Sequence, residues 1–134
     1  MAQASEKSIW TETFVAENNL SAKQYYGMEI SGDRQVDLID ATTDRPCGVL
    51  LNEPEAGQEA LICIVGRCPV KIGSATLTAG EPIMFHSDGT VVVFTPGTDI
   101  TKYCAGTMTI GGTAGAIGEA LIQCANPVKG AAST

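Results

Sequence analysis

Apolar and polar side chains alternate along this chain in short runs separated by turn residues. In Arg67-Cys-Pro-Val-Lys-Ile72, the side chains of Cys68, Val70 and Ile72 share one face while Arg67 and Lys71 share the other. That is the period of a half-buried strand, and Pro69, which cannot donate to a ladder, places it at an edge or a bulge. Ala60-Leu-Ile-Cys-Ile-Val65 is apolar on both faces and is expected to be central or covered. Further strands are expected at Tyr26–Ile30, Val36–Asp40, Cys47–Leu51, Glu59–Val65 (ending at Gly66), Cys68–Ile72, Tyr103–Ile110 and Glu119–Cys124. Pro82–His86 and Thr90–Thr95 flank Ser87-Asp-Gly89 and read as a hairpin. No interior segment keeps an apolar period of about 3.6 residues for three turns. The expected fold is all-β, a small β-barrel or β-sandwich.

Two strings resemble each other. Cys47-Gly-Val-Leu-Leu51 followed by Ala56-Gly-Gln-Glu-Ala-Leu-Ile-Cys63 matches, loosely, Cys104-Ala-Gly-Thr-Met108 followed by the run to Cys124, with Glu-Ala-Leu-Ile common to both. A pseudo-symmetric β unit or a chance likeness of two buried strands accounts for it. Residues 1–24 are polar and acidic with isolated large groups at Ile9, Trp10, Phe14, Val15 and Leu20, and are expected to form an extended N-terminal arm. Asn18-Asn19 would cut short any helix aligning Trp10 with Phe14. Residues 25–127 then form the β domain and 128–134 a flexible tail.

Composition agrees with strands and turns, since Val, Ile and Thr outnumber Leu and Met, and Gly, Ala and Thr supply about a third of the 134 residues. The longest apolar run, Ala60 to Val65, is too short to span a membrane, and MAQASEKSIWTETF contains no stretch of signal-peptide length. A soluble chain made in the cytoplasm and not bound to membranes is the expectation. The net charge of −7 is carried wholly by residues 1–60, with eleven acids against four bases, while residues 61–134 hold four of each. An acidic half with no basic stripe argues against nucleic acid as a partner.

The five cysteines (Cys47, Cys63, Cys68, Cys104, Cys124) form no CxxC pair, and His86 is the single histidine. A zinc site is therefore not expected, and the thiols read as small buried hydrophobes. Gly111-Gly-Thr-Ala-Gly-Ala-Ile-Gly118 has the wrong spacing for a dinucleotide fingerprint and reads as a hairpin loop. His86 flanks a turn, Asp37/Asp40 and Glu53/Glu55 sit at loop edges, and no nucleophile motif accompanies them. No catalytic, metal or cofactor residues are assigned, and an enzyme is not expected.

Asp44-Arg-Pro-Cys-Gly-Val-Leu50, Glu55-Ala-Gly-Gln58, Val65-Gly-Arg-Cys-Pro-Val70, Leu77-Thr-Ala-Gly-Glu-Pro-Ile83 and Gly106…Ala114-Gly…Gly118-Glu-Ala-Leu-Ile122 together resemble the capsid cement, or head-decoration, proteins of tailed bacteriophages. The likeness runs over about residues 24–127 and lies more in the order of the glycines than in one motif. It implies a non-enzymatic virion protein on the outer capsid surface, often a homotrimer, that ties neighbouring subunits of the major capsid protein together. The five cysteines and the longer N-terminal stretch depart from the family pattern. On this reading Ile9, Trp10, Phe14, Tyr25 and Tyr26 are the expected capsid or oligomer interface, with core packing the other reading of the two tyrosines. The alternatives are a soluble β-barrel module that binds a ligand or host protein, and the base of a head fibre.

Overall fold

The computed structural model describes residues 9–130, and every regular element among them is a strand. In chain order these are β1 (Trp10–Ala16), β2 (Gly27–Gly32), β3 (Gln35–Leu38), β4 (Gly48–Leu50), β5 (Glu59–Lys71), β6 (Pro82–Phe85), β7 (Val91–Val93), β8 (Gly106–Ile110) and β9 (Ile117–Gln123). Among the described residues no helix is long and apolar enough to cross a membrane.

β1, β3, β2, β4 and β5 pair in that order, and β1 pairs again with β5, closing a five-stranded barrel. From β5 the sheet continues through β9, β8, β6 and β7, and a parallel bridge between Ile72 and Val91 returns its far end to the chain just after β5. The all-β expectation is met, with a barrel and a curled second sheet sharing one strand.

That shared strand explains two separate cores. Ala60, Ile62 and Ile64 of β5 point into the barrel with Met28, Val36 and Leu50. Cys63 and its cross-strand partner Val49 point the other way and join the second core. Past Gly66, Cys68, Val70 and Ile72 enter the second core with Ile83, Phe85, Met108 and Ile122. Burying each such Ile, Val or Met contributes roughly 1.5–3 kcal/mol. Alternation on a single thirteen-residue strand thus supplies both cores.

Gly66, expected to end a strand, instead lies inside β5 with φ +129. β1 slips register beside it, Trp10 pairing with Val65 and Thr11 with Cys63. The backbone kinks here without breaking, because glycine reaches a φ that other residues rarely adopt. Pro69 pairs with Glu119 of β9 and, among the described residues, has no ladder partner on its other side, where its missing N–H would point.

The arm expected over residues 1–24 is corrected as well. Trp10–Ala16 is a barrel strand laddered to β5 and, in parallel, to β3, and Leu20 is buried in the barrel core. Residues 1–8 lie outside the described residues. In the expected tail, Lys129 bridges Tyr103, Cys104 N–H donates to Val128 O at 2.9 Å and Gly130 N–H to Lys102 O at 3.1 Å, so 128–130 are tied down. Residues 131–134 lie outside the described residues.

The repeated Glu-Ala-Leu-Ile takes one orientation in both copies: Ala60, Ala120, Ile62 and Ile122 are buried while Leu61 and Leu121 face out. A glycine precedes each copy at a close crossing. A methyl on Gly48 would lie 2.2 Å from Cys63 O, and one on Gly106 1.9 Å from Leu121 O.

Candidate interaction site

Trp10 opens β1 on the barrel surface, 48% exposed, and its indole Nε1 donates to Glu12 Oε2 at 2.8 Å. Phe14, one helical turn's length away in sequence but on the same strand, is half-buried against the barrel core. Both line a cleft of about 400 Å³. Ile30 of β2, Arg45 and Cys47 before β4, Ile64 of β5 and Cys124 after β9 complete its walls. The cleft therefore sits where the barrel meets the second sheet. Ile9 is not among the lining residues; it is 39% exposed and lies with its Cβ and Cα against Gly66.

The two tyrosines are elsewhere. They line a shallower depression of about 340 Å³ with Gln24, Glu53, Lys71 and Ile117. Tyr25 has φ +73 and is held by two backbone bonds, its N–H to Leu50 O at 2.7 Å and Lys71 N–H to its own carbonyl at 3.0 Å. Its ring packs on the second core, whereas Tyr26 packs on the barrel core beneath the Lys23 ammonium, 4.9 Å from the ring centre. The two rings therefore pack on different cores. The five residues expected at one interface are thus divided between two places.

Glu29, Asp40 and Asp44 bring carboxylate oxygens within 4.8 Å of one another. Asp44 accepts hydrogen bonds from the N–H groups of Asp40 and Ala41 at 3.1 and 3.0 Å. Partial burial, a hydrogen bond to Asp44 and the charges of Asp44, Asp40 and Asp37 push Glu29 up to about 7. The hydrogen bond that Asp40 donates to Asp44, and the charge of Asp44, also raise Asp40. Burial pushes Asp44 upward, but hydrogen bonds from Glu29, Asp40 and Ala41 outweigh it and hold this group below the usual range. Three such oxygens suit a hard cation, and a proton shared between Glu29 and Asp44 relieves the same repulsion. Sequence reading missed this set because the segment between β3 and β4 carries Asp40 and Asp44 back to Glu29, fifteen positions before Asp44.

Arg45 follows directly in sequence, yet makes no ion pair or hydrogen bond among the described residues. Cys47 and Cys124, also in the cleft wall, are buried, and burial pushes the Cys47 thiol up to about 11 and Cys124 higher still. Such thiols stay protonated and apolar at neutral pH. His86 is exposed beside Asp88, with Nδ1 3.5 Å from the carboxylate, in the turn that joins β6 to β7. The second sheet presents its own apolar positions, Ile110, Ile117 and Leu121, around an Arg67–Glu119 ion pair of 3.5 Å.

No protein-family model matches this chain, and no curated protein matches it. Among solved structures, the N base of the head fibre gp8.5 of bacteriophage phi29 is similar: the TM-score is 0.62 at 17% identity, over 87% of this chain and 95% of that one. This chain therefore shares the fold of nearly the whole of that base.

Proposed function

We propose that this chain is a non-enzymatic structural protein of a bacteriophage head, seated on the outer surface of the shell as the base of a head fibre. The likeness to a head-fibre base, which covers 95% of that chain, carries the reading. A base must grip the shell through a rigid body, and a barrel and sheet sharing β5 provide one. Trp10 and Phe14 on that body are the anchors, since aromatic groups dominate contact energies. The major capsid protein is the partner. Assembly as a homotrimer would let several weak contacts act together, because linked sites gain avidity without any new contact.

A second reading, capsid cement, rests on the glycine-ordered motifs between Asp44 and Ile122, which resemble head-decoration proteins. Copy number in gradient-purified particles separates the two. Hundreds of copies at a fixed ratio to the shell protein mean cement, and a count well below the shell means a fibre base. Absence from particles overturns both.

A further inference from the structure

We infer that the cleft beside Trp10 and Arg45 seats a segment of the shell protein that carries an apolar side chain next to a carboxylate. This rests on the proposed role at the phage head and adds the place and chemistry of the contact.

The walls of the cleft, Phe14, Ile30, Ile64, Cys47 and Cys124, are apolar, and its volume of about 400 Å³ suits one or two side chains. Apolar surface continues outside it, for Trp10 and Ile30 are 48% and 59% exposed. Arg45 is the charged member of the lining. In a chain of fifteen acids and eight bases, with Asp44 as its neighbour in sequence, this guanidinium stays unpaired among the described residues. Glu29, Asp40 and Asp44 are occupied with one another. An unpaired guanidinium at the mouth of an apolar cleft offers a planar fork of donors that matches a carboxylate. With eleven acids against four bases in residues 1–60, anions are repelled over much of this half, and Arg45 offers a partner's carboxylate a local exception. The apolar neighbour fills the cleft and excludes water from the pair.

The test is sedimentation of purified protein with phage heads that lack it, comparing wild type, Arg45→Gln, Arg45→Glu and Lys129→Gln. Lys129 is outside the cleft lining, so its substitution removes one positive charge without touching the site. Thermal unfolding of each variant confirms that it folds. Arg45→Gln should weaken binding about tenfold and Arg45→Glu further, as loss of a charge-assisted hydrogen bond requires. Lys129→Gln should bind as wild type, and added salt should weaken wild type more than Arg45→Gln. If Arg45→Gln binds as wild type, or Lys129→Gln loses as much, the cleft inference fails while the head reading stands. If wild type does not bind heads, both fail. Two results would assign the cleft to another occupant and overturn the inference: self-association of the free protein that Arg45→Glu abolishes, or a change in Trp10 emission of the free protein on deleting residues 1–8.

Discussion

Substituting Gly66 by alanine tests whether the kink in β5 holds the two cores in one body. With φ +129, an alanine here carries a backbone cost of about 1–2 kcal/mol. Its methyl would lie 2.6 Å from Ile9 Cγ2, 2.8 Å from Cβ and 2.9 Å from the backbone Cα. Because a backbone atom is involved, rotating the Ile9 side chain does not relieve the clash. The start of β1 has to lift, which loses one or two ladder hydrogen bonds at about 0.5–1.5 kcal/mol each. Restricting the unfolded chain returns roughly 0.4–1 kcal/mol. The net loss is about 2–3 kcal/mol, a fall in Tm on the order of 8–10 °C at this chain length. Gly57→Ala is the reference, since Gly57 has φ +83 and nothing within 4 Å of the added methyl. It keeps the backbone cost without the clash and should lose about 1 kcal/mol or less. Urea unfolding followed by circular dichroism and by Trp10 emission measures both variants. If Gly66→Ala is as stable as Gly57→Ala, Ile9 does not pin the kink and the reasoning is wrong.

Glu29, raised from 4.5 to about 7, binds more protons in the folded than in the unfolded state, so its contribution is full below pH 4.5 and is lost as pH rises through 7. After discounting for solvent screening this amounts to about 1 kcal/mol; urea midpoints at pH 5 and 7.5 should lie closer together in Glu29→Gln, and an unchanged gap refutes the assignment. Ile62 is fully buried in the barrel while its neighbour Leu61 is 36% exposed. Ile62→Ala should therefore cost about 3–4 kcal/mol and Leu61→Ala under about 1 kcal/mol by denaturant titration; equal losses would mean that the faces of β5 are misassigned. Gly48→Ala and Gly106→Ala, whose methyls would meet the carbonyls of Cys63 and Leu121, should each cost at least about 3 kcal/mol, and a mild effect in either would separate the two crossings.

Where burial follows strand alternation, the sequence was readable. The residues Arg67 to Ile72 alternate as expected, and the β6–β7 hairpin forms around Gly89 with Phe85 paired to Val91. β1 was not readable, because Trp-Thr-Glu-Thr-Phe-Val-Ala presents no continuous buried face. It is held by ladders on both sides, and its only local signal is a content of aromatic and β-branched residues. Gly66 misled because one glycine serves equally for a turn or for a kink in a continuing strand. The cleft draws on residues from Trp10 to Cys124, and which of those meet depends on the β1–β5 and β5–β9 pairings. Of its members only Trp10 and Phe14 stood out in advance, as large apolar groups in a polar stretch.

The position of the cleft links stability to docking. One wall comes from the barrel (Phe14, Ile30 and Ile64) and the other from the segment after β9 (Cys124). Between them β5 bends at Gly66, with Ile9 packed on the bend. A segment seated there touches both halves, so its binding free energy resists their separation. Ligand linkage then stabilises the fold by about 2.7 kcal/mol at one hundred times Kd. Because the same bend shapes the cleft, Gly66→Ala should weaken binding to heads even at temperatures where the variant remains folded. Arg45→Gln, by contrast, should weaken binding while leaving Tm unchanged. Both variants losing affinity, but only one losing stability, is the pattern required if shape and charge contribute separately. Loss of affinity in step with Tm across all variants would reduce the cleft to a by-product of folding.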